Sequence, residues 1–193
     1  MTEEIKKHPH LTARGLLELI EHEGIVPEWY KDDVGVGTWG IGVTNKSGHR
    51  VDRYRDNPQP MEHILSIFIW LVDRVYLPPV LAAFNGYNLN EQELHAALSF
   101  QYNTGAIMTA DWVADFKAGF RDQARASIMN WRSPSSIIPR RKAERDLFFD
   151  GKWTSDGKVP VYGVRKPSYT PGNAILVDIK AHLQLAIEKN GKA

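Results

Sequence analysis

A change of period between residues 12 and 44 constrains this chain more than any other feature. Thr12 to Glu23 places Leu16, Leu17, Leu19 and Ile20 on one helical stripe, with Thr12 to start the helix and Gly24 to stop it. From Thr38 the pattern alternates: Trp39, Ile41 and Val43 fall on one face, and Thr38, Gly40, Gly42 and Thr44 on the other. Period two with aromatic and β-branched residues predicts a strand. Asn45, Lys46, Ser47 and Gly48 supply a turn, and His49, Arg50 and Val51 are expected to return as a partner strand. Residues 24 to 37 read as a loop into that hairpin. The expected class is α+β, mostly α-helical, with a small hairpin lobe and a larger helical lobe.

The same stretch carries the residues that suggest chemistry. On a helical wheel Glu23 falls inside the apolar stripe near Leu16 and Ile20, whereas Glu18, Glu21 and His22 fall outside it. Glu23 is therefore expected to face the interior, where burial disfavours the charged form. A carboxyl that keeps its proton is what a general acid requires. The alternative is a frayed helix end that lets Glu23 reach solvent. Asp32 lies in the following loop, and Thr38 sits on a strand face that is otherwise bare glycine. Glycine there permits close approach by a ligand, so Thr38 is expected to line an open cleft with room for a sugar and a water. The bland alternative is a Gly-rich hairpin that only bends. Gly35-x-Gly37-x-x-Gly40 matches the dinucleotide fingerprint in letters, but a loop precedes it and a strand follows, so the context for a nucleotide site fails.

Eight residues separate Glu23 from Asp32 and five separate Asp32 from Thr38. This spacing resembles the catalytic spacing of the phage-type lysozymes, a family of muramidase glycoside hydrolases. Thr38-Trp39-Gly40-Ile41-Gly42 is similar to the family's T-x-G-x-G strand. Leu98-Ser99-Phe100-Gln101-Tyr102-Asn103-Thr104-Gly105 is similar to its S-F-x-x-N-x-G helix end. Arg140-Arg141-Lys142-Ala143-Glu144-Arg145-Asp146-Leu147-Phe148 is similar to its R-R-x-A-E-x-x-L-F helix. The likeness covers about residues 12 to 153. Val43 stands where many relatives carry His, and some relatives have Cys where Asp32 sits.

The resemblance implies a two-lobed lysozyme-like fold. It also implies hydrolysis of the β-1,4 bond between N-acetylmuramic acid and N-acetylglucosamine. Glu23 would be the proton donor, and Asp32 and Thr38 would hold a water. Trp39, Gly40, Gly42 and Asn103 are the candidate substrate contacts. Asn103 could equally only cap its helix end. Of the neighbouring acids, Asp33 breaks the spacing by one, and Glu28 is expected to face solvent. A lytic transglycosylase, or a silent wall-binding or virion module on the same fold, are the rival readings.

A chain of 193 residues with 42% hydrophobic and 24% charged content suits one soluble domain. Net charge is +1, so no strong attraction to nucleic acid is implied. There is no cysteine, hence no disulfide and no thiolate metal site. Two histidines in Lys7-His8-Pro9-His10 lack further ligands at recognisable spacing, and no metal or cofactor is expected. The segment Met1 to His8 is polar, and the apolar run Ile64 to Val72 is well short of the ~20 residues that span a bilayer. The expectation is a monomer with no stable membrane insertion, accumulating in the host cytoplasm. By analogy with phage, a holin-type pore would release it to the peptidoglycan.

Further along the chain, Met61 to Asn85 predicts an apolar helix ended or kinked at Pro78-Pro79. Asn90 and Glu93 predict a capping box on a helix stopped by Gly105. Amphipathic stretches follow at 111–116 and 120–131, and a helix at 140–149. Arg140, Arg141, Lys142 and Arg145 read either as a solvated face with Glu144 and Asp146 as partners, or as attraction to the anionic wall polymer or packing behind the cleft. Residues 159–164 look β-like, and Pro171 to Asn190 reads as a terminal helix ended by Gly191. One domain is expected over 1–193: a hairpin lobe at about 24–60, a helical lobe at 61–153 and a C-terminal extension at 154–193 packed on it. The cleft is expected between the lobes, with Glu23 at the hinge. Trp29, Trp39, Trp112, Trp131 and Trp153 could stack on sugars, although large aromatics are more often core.

Overall fold

In the computed structural model, which describes residues 11–190, the first helix α1 (Ala13–Glu23) begins where the sequence places it. The Thr12 hydroxyl accepts the Gly15 amide at 3.1 Å, satisfying one of the orphan donors of the helix start. Leu16, Leu19 and Ile20 are buried, and Gly24 ends the helix at φ 69°. The chain separates into two compact units. One comprises Leu19–Val72 with residues 155–190, the other residues 11–18 with Asp73–Thr154.

In the first unit a strand, β1 (Val26–Lys31), forms where a loop was expected. It pairs antiparallel with β2 (Gly37–Gly40), which pairs with β3 (Val43–Thr44). The register sets Tyr30 opposite Thr38 and Thr38 opposite Thr44. The hairpin reverses at Ile41 and Gly42 rather than at residues 45–48. Gly40 and Gly42, at φ 67° and 65°, supply the left-handed backbone this needs. The predicted partner strand at His49–Val51 is absent. Asn45–Ser47 and Asp52–Tyr54 are single 3-10 turns, and Asn45 Oδ1 captures the Val51 amide at 2.8 Å, so that segment is held as a loop.

Met61–Ala83 is one helical run of 23 residues. It comprises α2 (Met61–Leu71), a π segment over Val72–Tyr76, and α3 (Leu77–Ala83). Pro78 and Pro79 do not end it. They occupy the first turn of α3, where a missing N–H is tolerated, and the irregularity precedes them as the π segment. By length and composition alone the run is long and apolar enough to cross a membrane. Yet 44% of its most apolar window is buried, and Ile64, Leu65, Phe68 and Leu71 belong to the core.

The C-terminal stretch departs most from its reading. β4 (Lys158–Arg165) and β5 (Thr170–Asp178) form an antiparallel hairpin, and only α8 (Lys180–Asn190) is helical. The run Ala174-Ile175-Leu176-Val177 fits either period, and a short apolar run alone does not separate strand from helix. α8 packs on α2 and buries Leu183 and Ala186. The Gly191 stop and the Lys7–His10 stretch lie outside the described residues.

The second unit contains α3, α4 (Glu91–Thr104), α5 (Asp111–Lys117), α6 (Arg121–Ser127) and α7 (Ile138–Asp150). The Asn90–Glu93 capping box forms, and Gly105 closes α4 in the left-handed conformation. Phe84, Phe100, Trp112 and Phe148 meet edge-on or tilted in the core. The basic cluster is not a solvated face. Arg141 is 0% exposed, and it donates to Glu144, to the Trp131 carbonyl at 2.9 Å and to Asn103 Oδ1 at 2.6 Å. Its guanidinium lies 4.4 Å from the Phe100 ring centroid. Arg140 donates to Glu144 Oε1 at 2.9 Å and to the Ser99 carbonyl at 3.0 Å. Only Lys142 of the three consecutive basic residues is exposed. Removing Arg141 leaves Glu144 Oε2, Asn103 Oδ1 and the Trp131 carbonyl without the donor they share. Arg141→Ala should cost about 3–5 kcal/mol in urea denaturation, whereas Lys142→Ala should stay within about 0.5 kcal/mol of the parent.

Candidate active site

The site is built from the end of α1, the first strand and the strand paired with it. The wheel expectation for α1 is only half met. Six consecutive residues, Gly15 to Ile20, are buried, so the middle of the helix has no wet face. Glu18, predicted to face water, is 4% exposed, and it accepts the Thr154 amide at 2.6 Å and the Thr154 hydroxyl at 2.8 Å. Those two donors compensate its burial. Glu23, predicted inward, is half-buried.

Asp32 follows β1 and organises the loop to β2. Its Oδ1 accepts the amides of Val34 at 3.0 Å and Val36 at 2.8 Å. Its own amide donates to the Val36 carbonyl at 3.1 Å, and its carbonyl accepts Gly35 at 2.9 Å. One carboxylate oxygen is thus spent on a closed Asx-type turn. Among the described residues Oδ2 accepts no hydrogen bond. Asp33, the next residue, is exposed.

Thr38 does not line an open, glycine-bare face. It is 3% exposed, because its paired neighbours on that face are Tyr30 and Thr44 rather than space. Its hydroxyl donates to the Val36 carbonyl at 3.1 Å, which leaves the oxygen able to accept.

Tyr30 is the residue that sequence reasoning missed as a member of the site. Burial is the largest influence on its phenol, followed by the charges of Glu23, Asp32 and Asp33 and then by Tyr162. All of them resist its ionisation and push its pKa well above the ordinary tyrosine value, so the phenol stays a hydrogen-bond donor. Glu23 and Asp32, nine positions apart in sequence, therefore act on one phenol that faces Thr38 across the β1–β2 pairing. The signal was Tyr30's place opposite Thr38, which is visible only once residues 26–31 are known to be a strand.

The candidate substrate contacts fare unevenly. Trp39 is 0% exposed. Its ring stacks on Tyr54 at 4.0 Å and its Nε1 donates to the Pro27 carbonyl at 2.8 Å, so it is core and not a sugar platform. Gly40 is buried, with the Ile64 side chain close to where a Cβ would stand, and Gly42 is half-exposed at the turn. Asn103, in the second unit, commits Oδ1 to Arg141. Trp29 and Trp112 are buried, while Trp153 lies beneath Arg14 at 4.1 Å. Glu28, expected to face solvent, is half-buried in β1; it pairs with Lys166 and accepts the Asp56 amide at 2.9 Å. Among the described residues no group of three or more His, Asp or Glu side chains could hold a metal.

A helix-end carboxyl, a loop carboxylate and a half-buried Tyr paired with a buried Thr across two strands lie together in one unit on an α+β frame. The phage lysozyme family profile matches residues 20–144. The fold is similar to an endolysin from Escherichia coli O157:H7 phage FAHEc1, at TM-score 0.62 and 21% identity over 77% of this chain and 98% of that one. It is also similar to a P22 lysozyme variant, at 0.58 and 21% over 72% and 97%. The muramidase domain of SpmX from Asticaccaulis excentricus matches at 0.56 and 21% over 73% and 97%. No curated protein matches the chain. The chain belongs to the phage lysozyme family, and its activity class is that of a peptidoglycan hydrolase of the endolysin type.

The geometry separates two roles of Asp32. Asp32→Asn keeps an oxygen for the Val34 and Val36 amides, whereas Asp32→Ala removes it. Hydrogen exchange at those two amides should remain near the parent rate in Asp32→Asn and rise by about tenfold in Asp32→Ala, the equivalent of about 1.4 kcal/mol of lost protection.

Proposed function

We propose that the protein is an N-acetylmuramidase that cleaves the β-1,4 bond between N-acetylmuramic acid and N-acetylglucosamine in peptidoglycan glycan strands. Glu23 donates its proton to the leaving glycosidic oxygen. A water held by hydrogen bonds to Asp32 Oδ2 and the Thr38 hydroxyl oxygen attacks the anomeric carbon. Its proton passes to Asp32 as the new C–O bond forms and the bond to the leaving oxygen, protonated by Glu23, breaks. The Asp32 charge also stabilises the oxocarbenium character of the transition state, and an inverting reaction of this kind needs a carboxyl separation of about 6.5–9.5 Å to admit the water. The single observation that supports this reading is that the charges of both Glu23 and Asp32 bear on Tyr30, the residue paired with Thr38 across β1 and β2. The Thr38 proton is already committed to Val36, so its oxygen is disposed to accept from a water. In the same reading the enzyme acts as a monomer without a cofactor, accumulates in the host cytoplasm and is released to the wall by a holin-type pore.

A lytic transglycosylase needs the acid but no water, and a silent wall-binding module needs neither. Purified sacculi separate all three. Glu23→Gln should lose about 10²–10⁴-fold in glycan cleavage, because the proton donor goes while the shape stays. Asp32→Asn should be severely impaired with its loop intact. The products should carry reducing ends. Cleavage by Glu23→Gln at the parental rate, 1,6-anhydro products, or binding to sacculi without any cleavage would each overturn the reading.

A further inference from the structure

The β4–β5 hairpin lies beyond the residues matched by the family profile, yet it belongs to the same unit as Glu23, Asp32 and Thr38. Its backbone grips β1 at both ends. Just before the strand, Ile25 donates to the Pro160 carbonyl at 2.9 Å and accepts the Tyr162 amide at 2.8 Å, forming a parallel bridge to Val161. At the last residue of the strand, the Lys31 amide donates to the Tyr169 carbonyl at 2.6 Å. The first grip is two residues after Glu23, and the second is one residue before Asp32.

Side chains fasten the tip of the hairpin to the same strand. The Lys166 ammonium bridges Glu28 and Asp56. The Tyr169 hydroxyl donates to Asp56 Oδ2 at 2.8 Å. The Arg55 guanidinium lies 4.6 Å from the Trp29 ring centroid and 4.2 Å from that of Tyr169. At the other end the Tyr162 ring rests on Gly24. A Cβ at position 24 would stand 2.7 Å from Tyr162 Cε2, so only hydrogen fits between them.

Glu23 is the last residue of α1, and helix ends fray unless something holds them. After Glu23 the helix keeps one backbone bond, Gly24 to the Ile20 carbonyl at 2.8 Å, and then turns through a left-handed glycine. The ring on Gly24 and the bridge at Ile25 close off the alternative paths for that corner. We propose, building on the reading of Glu23 as proton donor, that the β4–β5 hairpin clamps β1 and that Tyr162 is a positioning residue that fixes the Glu23 carboxyl relative to Asp32. The ring does this by packing on Gly24; its hydroxyl is not required.

Steady-state kinetics on soluble glycan strands, read as new reducing ends, test the proposal. Tyr162→Val retains a good strand former and Tyr162→Leu a larger apolar side chain, but neither covers Gly24 as a ring does. Both should lose about tenfold or more in kcat, the scale expected when a reacting group is misplaced by a fraction of an ångström. Their KM should stay within about twofold, since substrate contacts are untouched. Tyr162→Phe should restore kcat. Parental kcat in both Tyr162→Val and Tyr162→Leu, a loss confined to KM, or a Tyr162→Phe as impaired as Tyr162→Val would overturn the proposal. Glu23→Gln separates the two levels. If it is inactive while Tyr162→Val and Tyr162→Leu match the parent, the positioning role alone falls. If it matches the parent, the acid assignment falls as well.

Discussion

The pairing of β1 with β2 decides which side chains meet. Antiparallel partners share a face, so setting Tyr30 opposite Thr38 brings a phenol and a hydroxyl together on one patch of sheet. A slip of one strand by one residue would turn its member of the pair to the opposite face and separate the two side chains. The pairing is held from outside as well. Bonds at Ile25 and Lys31 tie the strand to the C-terminal hairpin, so β1 is secured along both of its borders. Asp32 then needs only a short turn, closed by its own Oδ1, to stand beside that patch.

The second unit relies on a different kind of restraint. Arg140, Arg141 and Glu144 carry charge into a region built from Phe100, Trp112 and Phe148. Desolvating such groups is costly, and it is offset only when nearly every donor finds an acceptor. Here Ser99, Asn103 and the Trp131 carbonyl supply the remaining acceptors, so the network ties α4 to α7 and to the turn before it. Its value is directional, since an apolar cluster of the same size would fix the spacing of those helices but not their rotation.

What could be read from residues alone was the local part. Gly24, Gly105 and the Asn90–Glu93 pair act within one helical turn, so their roles follow from spacing. β1 could not be read that way, because Val26-Pro27-Glu28-Trp29-Tyr30-Lys31 contains a proline and no clean alternation. Its strand character comes from partners elsewhere in the chain. The burial of Glu18 depends on Thr154, 136 residues away, and that of Thr38 on the strands flanking it. The spacing of Glu23, Asp32 and Thr38 singled out a stretch that folds as a helix end followed by two paired strands. Tyr30 joins it through the pairing of two neighbouring strands, one of which has no clean alternation, and Tyr162 through a bridge from the far end of the chain.

The clamp on β1 also bears on when the protein becomes competent. Lys166 and Glu28 are 138 residues apart, and the entropic cost of joining them grows with the logarithm of that loop. Residues 73–154 intervene and form the bulk of a unit of their own. During synthesis that intervening segment leaves the ribosome before the hairpin exists, and amino-terminal portions fold first. The strand beside the two carboxylates thus waits, with one border open, until residues 158–178 have been translated. Completion of the strand's second border is coupled by topology to the emergence of a segment that follows a whole intervening unit.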